Sequence, residues 1–598
     1  MKAAFDWIDQ RTGLKHLVNE ALFENVPGGA RWRYVWGSTL VFCFTIQVIT
    51  GLALWLAYSP SSQTAWESVY YIQHEMWGGW FLRGLHHFTA QAMTLLLVIH
   101  LMQVVIDGAY KAPREVNFWS GVLLMLLTLA LSLTGYLLPW DQKGYWATKV
   151  ATNIAAITPV IGPALQKVII GGSDYGHHTL TRFFALHAGV IPGAIVAFIV
   201  VHIYLFRKHG ITPKKPKRGP DAAFWPDQVL RDAVACLAVL LVVLFLIFRY
   251  HGAELGAPAD PSEQFSAARP EWYFLFLFEL LKYFPGGTEV WGAIVLPGLL
   301  MLVLAAMPFI GNWRLGHRFN LIFMWVMLAG AGALTFSAMS ADRGNPDYAL
   351  AVKAAEHDAH RAVALARSPE GIPVTGAVTL LRNDPLTQGP KLFAKNCASC
   401  HRYEGHDGLG GQPKDKASAA DLKGFASRAW LTALLDPAKV DSPLYFGATS
   451  HKNGKMVKFV KDDVAALDEA GKKELAQAIV ALSAEARLKS QREQDKHDEV
   501  LIAAGTKALI GGKLSCMDCH KFHEDGEALG TAPDLSGYGS REWLVGIISN
   551  PEHERFYGKK NDRMPAFGEE KQLTPQEIGL VADWLRGEWY EPAVKKAD

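Results

Sequence analysis

Neither charge sign dominates this sequence, which also lacks an apolar leader and a basic tract of the kind that binds nucleic acid. Its 598 residues carry 59 lysines and arginines against 57 aspartates and glutamates, a formal net charge of +2. Without a basic tract, no nucleic-acid partner is expected. The N-terminal segment MKAAFDWIDQRTGL has no apolar core, so no cleavable signal peptide is expected.

Cysteine is scarce, and its placement excludes a disulfide scaffold. Four of the six cysteines lie in two C-x-x-C-H motifs, which attach a cofactor rather than cross-link the chain. The other two, Cys43 and Cys236, are expected to be buried apolar residues.

Long stretches without Asp, Glu, Lys or Arg are confined to the segment 1–341. A membrane-spanning helix needs roughly 20 mostly apolar residues. Seven such runs predict seven spans, A to G: 34–66, 84–106, 116–140, 183–206, 233–248, 290–313 and 319–341. The first run must turn into a loop near Ser59 and Pro60. The segment 342–598 is rich in Lys, Asp, Glu and Ala, so the chain divides into a part in the lipid bilayer and a polar part.

Basic residues in the loops predict the orientation. Lys111 and Arg114 lie between spans B and C, and Arg314 and Arg318 lie between F and G. Six more lie between D and E: Arg207, Lys208, Lys214, Lys215, Lys217 and Arg218. Positive charge marks the cytoplasmic side. We therefore expect a multi-pass protein of the bacterial inner membrane with a cytoplasmic N-terminus, whose seventh span leads the segment 342–598 into the periplasm.

Four histidines lie at paired depths in spans B and D. His86 and His100 have an i, i+14 spacing, and His187 and His202 have an i, i+15 spacing. A step of this length is about 21 Å and about four helical turns, so each pair faces nearly one side. The pattern predicts two bis-imidazole sites stacked across the bilayer, each suited to a haem iron. A lone histidine is often only a polar contact between helices; the spacing to His100 favours His86 over its neighbour His87.

Glycines accompany these histidines. Gly37 and Gly51 in span A, like Gly121 and Gly135 in span C, have the same i, i+14 spacing as the histidines of span B. Glycine lets a flat macrocycle approach the backbone, although small-residue helix packing is the alternative.

Two arginines lie near the ends of this arrangement. Arg83 near the outer site and Arg114 near the inner one are candidates to pair with haem propionates. The alternative for each is snorkelling at the membrane edge.

The segment Pro270-Glu271-Trp272-Tyr273 lies between spans E and F, just before an apolar stretch. The segment places the Glu271 carboxylate at the edge of an apolar pocket, where burial can adjust its pKa so that it serves as a base. The alternative is an interfacial Glu-Trp-Tyr belt.

The polar part contains two c-type haem motifs. The first motif is Cys397-Ala-Ser-Cys400-His401 and the second is Cys516-Met-Asp-Cys519-His520; each attaches a haem through two thioethers, with its histidine as proximal ligand. The surrounding regions are repeats at a nearly constant offset: Asp421-Leu422-Lys-Gly424-Phe425 matches Asp534-Leu535-Ser-Gly537-Tyr538.

Each repeat also supplies a candidate sixth ligand. In the second repeat, the segment around Met564, RMPAF, resembles the methionine loop of class I cytochrome c. In the first repeat, Met456 occupies that place, with His451 as a rival.

The segment 1–341 resembles the cytochrome b of the Rieske/cytochrome b complexes. The histidines, the paired glycines, LPWDQKGYWA at 138–147 and the PEWY segment carry the resemblance. It implies that His86 and His187 bind an outer, lower-potential haem b, and that His100 and His202 bind an inner, higher-potential one. The longer histidine spacing in span D and the seven spans are closer to the chloroplast and cyanobacterial type, which is split into two polypeptides.

That type also holds an extra haem through a single cysteine near the start of span A. The matching residue here is Val35, so no covalent haem is expected in the membrane part.

The resemblance implies a quinol–cytochrome c reductase coupled to proton translocation. Glu271 would act as base and Tyr273 would orient the quinol, with Gly144–Thr148 as the opposite wall. One electron would go to a separate Rieske iron–sulfur protein and the other through the two haems b to a quinone near Arg207. The polar segment 342–598, with its two haems c, would pass electrons to a periplasmic cytochrome c or another acceptor. The complex would be a homodimer and would exchange quinol and quinone with the quinone pool. The alternative is a non-catalytic haem conduit or anchor for a partner oxidoreductase.

The expected fold is all-α: a seven-helix bundle, four plus three, followed by two small class I cytochrome c-like domains. It would hold two haems b and two haems c. The expected segments are 1–212 and 213–341 for the two parts of cytochrome b, 342–388 as a linker, and 389–490 and 491–598 for the c-type domains.

Overall fold

The computed structural model describes residues 2–212, 219–514, 516–527 and 532–592. The predicted cytoplasmic charges Lys214, Lys215, Lys217 and Arg218 lie outside the described residues. The chain divides into two compact units. Unit 1 is Met1–Ala366 with Glu370–Val378, and unit 2 is Arg367–Pro369 with Thr379–Asp598.

Seven helices in the described part of the chain are long and apolar enough to cross a membrane, which confirms the prediction. Spans A to G are Trp32–Trp55, Gly79–Ile106, Glu115–Tyr136, His177–His209, Asp227–Tyr250, Trp291–Ile310 and Gly316–Arg343. Large apolar side chains on their outer faces stay exposed, such as Phe245 at 66% and Val242 at 59%. Water would penalise such surfaces and a bilayer would not, so the chain is a multi-pass membrane protein.

Spans A to D enclose the core of the bundle. Span A packs on span B, and span C packs on span D. Between them lies a buried apolar cluster that includes Cys43, Phe44, Met93 and Ile195. Cys43 is fully buried and Cys236 is half-buried, and neither forms a disulfide.

Shorter elements connect the spans. The further helices of unit 1 are Lys2–Thr12, Leu14–Leu22, Ala65–His74, Gln142–Ala156, Gly162–Ile170, Leu275–Leu281 and Pro346–Ala366, with a 3-10 turn at Trp272–Phe274. Asp141 begins the helix Gln142–Ala156, because its side chain accepts a hydrogen bond from Gly144 N. Strands Asn25–Val26 and Ala222–Ala223 pair antiparallel and hold the N-terminal segment against the D–E connection. Much of the expected linker 342–388 is the helix Pro346–Ala366.

Unit 2 is also helical. Its helices are Pro385–Asn396, Arg428–Leu434, Lys455–Phe459, Val460–Val464, Glu469–Glu485, Arg492–His497, Glu499–Gly511, Arg541–Ser549 and Pro575–Arg586, with 3-10 turns at Lys489–Gln491, Cys516–Asp518 and Gly558–Lys560. The helix Val378–Arg382 lies at the boundary of the units.

The two repeats of unit 2 are interlaced rather than consecutive. Pro385–Asn396, the first helix of repeat one, packs on Pro575–Arg586, the last helix of repeat two. Glu469–Glu485 of repeat one packs on Glu499–Gly511 of repeat two. The structure therefore differs from the expected pair of separate domains, 389–490 and 491–598.

Close approaches of glycine explain this packing. A Cβ at Gly389 would overlap the Cβ of Trp584, and a Cβ at Gly505 would overlap the backbone of Gln477. Each glycine thus lets a helix of one repeat lie directly on a helix of the other. Buried side chains from both repeats, among them Phe393 and Trp543, form one continuous hydrophobic core in the described part of unit 2.

Candidate functional site

The outer histidines of spans B and D face each other. The ring centroids of His86 and His187 are 6.3 Å apart. An imidazole nitrogen lies roughly 2 Å from a bound metal, so two rings on opposite sides of one iron would have centroids about 6 Å apart. The observed separation therefore fits a bis-imidazole haem site.

Hydrogen bonds orient both rings through their Nδ1 atoms. His86 Nδ1 lies 2.9 Å from Thr50 Oγ1. His187 Nδ1 lies 3.1 Å from the Leu131 carbonyl and 3.2 Å from Thr134 Oγ1. A carbonyl only accepts, so His187 donates from Nδ1 and its Nε2 is left for a metal, as in other histidine-ligated sites.

In the inner pair, the hydrogen bonds of the described residues orient the ring of His202 but not that of His100. His202 Nδ1 lies 3.1 Å from the Asn117 carbonyl and 2.9 Å from Ser120 Oγ. His100 and His202 lie within electrostatic range of each other. His100 Nδ1 is buried without a hydrogen-bond partner among the described residues.

Each predicted glycine lies against one of the four histidines. A Cβ at Gly135 would lie 2.5 Å from His187 Cε1, and one at Gly51 would lie 3.3 Å from His86 Cε1. The corresponding distances are 3.1 Å between Gly121 and His202, and 3.7 Å between Gly37 and His100. Because they share one spacing, two glycines lie at the depth of the outer histidines and two at the depth of the inner ones. The residues present fit a haem at each depth.

Hydroxyl residues precede three of these glycines, and sequence reasoning missed them. Thr50, Ser120 and Thr134 each come one residue before a glycine, and each contacts the Nδ1 of the histidine that the glycine faces. Trp36 stands in that place before Gly37, which explains why His100 lacks such a partner. The Ser/Thr-Gly pairs are the signal that identifies this second layer.

A π-helical turn explains the longer histidine spacing in span D. Residues Leu186–Val190, which include His187, form a π-helix between two α-helical stretches. A π-helical turn takes up one extra residue and is frequent at functional sites. His187 and His202 therefore keep the depths of their partners in span B.

A cavity of about 570 Å³ joins the outer histidines to the PEWY segment. Its walls include His86, His187, Glu271 and Tyr273. The C–D connection contributes Leu138, Pro139, Asp141 and Lys143 to the lining, whereas Gly144 and Thr148 are buried in the helix that follows.

Glu271 lies in a charged corner of this cavity. Burial raises the pKa of its carboxyl above the ordinary value, and the Lys143 ammonium opposes the shift. Lys143 also pairs with Glu254 at 2.8 Å. The site therefore holds a carboxyl whose protonation responds to a neighbouring cation, as a proton acceptor requires.

The other PEWY side chains contact spans B and C. Trp272 Nε1 donates to Gln91 Oε1 at 3.3 Å, and Gln91 Nε2 lies 2.8 Å from His87 Nε2. His87 is therefore engaged at the nitrogen that a metal would need. Tyr273 and Ser132 of span C line the same cavity, and burial raises the pKa of the Tyr273 hydroxyl.

The two predicted arginines donate hydrogen bonds to backbone carbonyls. Arg83 lines the cavity and donates to the carbonyls of Ala253 and Glu254, each at 2.7 Å. Arg114 donates to the carbonyl of His209 at 2.7 Å. Their pairing with propionates stays a prediction.

The c-type motifs have equivalent surroundings. His401 Nδ1 lies 2.8 Å from the Ala420 carbonyl, and His520 Nδ1 lies 2.8 Å from the Pro533 carbonyl. Both contacts orient the ring and leave Nε2 for iron. Within each motif the two thiols and the histidine are close in the chain, so the residues present fit a covalent haem.

Family models match both parts of the chain. One described as Cytochrome b(N-terminal)/b6/petB matches residues 91–258, one described as Cytochrome b(C-terminal)/b6/petD matches residues 258–351, and one described as Cytochrome c matches residues 386–475. Over 212 residues the chain is 38% identical to cytochrome b6 of Synechococcus sp. (strain JA-3-3Ab), covering 99% of that protein and 36% of this chain. Over 308 residues it is 32% identical to cytochrome b of Rhodobacter capsulatus, covering 70% of it and 49% of this chain.

The chain belongs to the cytochrome b family. It is a fused cytochrome b–cytochrome c chain, an electron-transport protein that binds haem b and haem c. It is also similar to a solved structure titled "Hyperthermophilic respiratory Complex III", with a TM-score of 0.47 and 26% identity over 56% of this chain and 98% of that one. As a member of this family, it is a subunit of a bc-type oxidoreductase complex.

Proposed function

We propose that this cytochrome b–c chain is the core of a quinol:cytochrome c oxidoreductase, with Glu271 as the proton acceptor for quinol. The continuous cavity carries this proposal, because it places Glu271 and Tyr273 in the same space as His86 and His187. A substrate in that cavity would contact a base and lie beside an electron acceptor.

The chain's own residues divide the work at this site. Glu271 takes a proton from the quinol hydroxyl, and Lys143 stabilises the carboxylate before transfer. Tyr273, which lines the same cavity as Glu271, orients the ring of the quinol. Bound haems, two b and two c, would supply one-electron transfer, held by His86, His187, His100 and His202 and by the two C-x-x-C-H motifs.

The electron acceptors, the oligomeric state and the membrane placement are inferred from membership of the cytochrome b family. A Rieske iron–sulfur protein would accept one electron of each quinol, and the haems held by the histidines of spans B and D would accept the other, coupled to proton translocation. The c-type arm delivers electrons to a periplasmic acceptor from an inner-membrane homodimer. The cation-rich D–E and F–G connections support a cytoplasmic placement of that face.

The decisive experiment is quinol-dependent reduction of haem c in the purified complex. Glu271→Gln keeps the shape of the side chain but removes the base, and general bases contribute about 10²–10⁴-fold to rate. We expect a loss of at least about tenfold, with unchanged haem b spectra. Glu67→Gln is the matched control, since Glu67 is an exposed carboxylate outside the cavity lining.

The alternative is a haem conduit that relays electrons without oxidising quinol itself. An unchanged rate in Glu271→Gln would favour the conduit and refute the proposed site. Pyridine haemochrome analysis tests the cofactor content separately. We expect two haems b and two haems c per chain.

A further inference from the structure

The two repeats of unit 2 cross at equivalent positions. Ala426 and Gly539 correspond in the two repeats, and a Cβ at Gly539 would overlap the Ala426 Cβ. Both residues have positive φ, 61° and 74°. The preceding residues, Phe425 and Tyr538, are also equivalent, and their ring centroids are 5.3 Å apart. Equivalent residues of the two repeats therefore contact each other at this crossing.

Beyond this crossing, Met456 of the first repeat and Cys516 of the second motif border one buried cluster. Met456 packs against a buried cluster that includes Val457, Val460 and Leu514, and Cys516 packs against the same cluster. Leu514 and Cys516 belong to the second repeat.

Polar contacts hold the same two segments together. Lys513 pairs with Asp468 at 2.9 Å, and Lys513 N donates to Glu474 at 3.1 Å. Glu485 accepts from Gly537 N at 2.6 Å and pairs with His523 at 3.0 Å. Ion pairs and hydrogen bonds therefore hold the segment 468–485, which follows Met456, against residues that precede and follow the second motif.

The last helix of the second repeat lies beside the first motif. The Trp584 ring is 4.3 Å from that of Tyr403, just after the motif, and 5.4 Å from that of Phe393, just before it. Gln576 Nε2 donates to Asn383 at 2.6 Å. Met564 shortly precedes this helix in the chain, and the core that it borders is bordered by both Cys397 and Cys516, so the position of the helix is what associates Met564 with the first motif.

We propose that the two c-type sites exchange their sixth ligands. Met456 binds the iron of the haem attached at the second motif, and Met564 binds the iron of the haem attached at the first. Each methionine precedes the last α-helix of its repeat, Glu469–Glu485 or Pro575–Arg586, and that helix packs on the helix that precedes the c-type motif of the other repeat. His451, the rival for the first site, is exposed and lies against the Tyr557 ring at 6.4 Å.

The exchange makes each c-type site a product of both repeats. Thioether ligation raises the potential of a haem, so neither site reaches its final potential until the second repeat has folded onto the first. Two consecutive domains would each mature alone.

Single-haem forms of the full chain test the assignment. Cys397→Ser with Cys400→Ser leaves haem c only at the second motif. In that background we expect Met456→His to abolish the methionine–iron charge-transfer band and lower the midpoint potential. Met564→His, the matched control, should leave both unchanged.

The reciprocal background reverses the expectation. With Cys516→Ser and Cys519→Ser, Met564→His should abolish the band and Met456→His should not. The opposite pairing in either background, or no effect of either methionine, would overturn the exchange.

A nicked chain tests the interlacing where a single-haem form fails to fold. A protease site inserted in the segment 486–498 separates the repeats covalently. We expect both fragments to stay associated in native conditions with both haem spectra intact. Separation into two folded single-haem fragments, each with a methionine–iron band, would refute the proposal.

Discussion

Substitution of Gly135 by alanine should selectively disturb the outer haem b site. The added carbon would lie 2.5 Å from His187 Cε1 and 3.0 Å from its Nδ1. Carbon atoms in contact normally lie about 3.5–4.0 Å apart, so the imidazole must move by about 1 Å. Overpacking of this kind costs about 1–3 kcal/mol, which weakens haem binding by about 5- to 150-fold.

Gly330→Ala is the matched control for this substitution. Gly330 lies inside span G, away from the four histidines, and an added carbon there would meet nothing within 4 Å. Both glycines are helical, and alanine is the better helix former by about 1 kcal/mol, so a loss confined to Gly135 cannot arise from helix propensity.

The measurement is haem b content per chain by pyridine haemochrome, with redox titration to separate the two sites. We expect Gly135→Ala to lose the lower-potential haem and Gly330→Ala to keep both. Full haem content in Gly135→Ala, or an equal loss in Gly330→Ala, would refute the reasoning from the imidazole contacts.

Two further predictions concern the quinol cavity and the crossing of the repeats. Lys143→Gln removes the cation that lowers the pKa of Glu271; the base then ionises at higher pH, so the acid limb of the pH–rate profile should shift upward, while Lys149→Gln leaves it in place. An unshifted limb would show that Lys143 does not act on this carboxyl. Gly539→Ala adds a carbon at the crossing at a φ of 74° and should lower the Tm of the c-type unit in calorimetry by several degrees, since such strain costs about 1–3 kcal/mol. Gly511→Ala, whose Cβ would meet open space, should not; equal Tm values would contradict the packing at the crossing.

The hydroxyl–glycine pairs show where sequence reasoning stopped short. The glycines were found from their spacing, because it repeats that of the histidines in span B. Thr50 and Ser120 stand one position away, but their role depends on the rotation of each helix about its axis. Only the packed bundle shows that Thr50 Oγ1 lies 2.9 Å from His86 Nδ1.

The sequence by itself determined the membrane spans, the four histidines and the two c-type motifs. Charge-free runs and residue spacing along one helix are local properties, and each carries its chemistry without reference to a partner. Helix packing alone brought Lys143, Glu271 and the outer histidines to the lining of one cavity. The interlacing also depended on tertiary packing, because two similar repeats offer equivalent surfaces to the same helix. In the structure Glu499–Gly511 packs on Glu469–Glu485, to which the short segment 486–498 connects it.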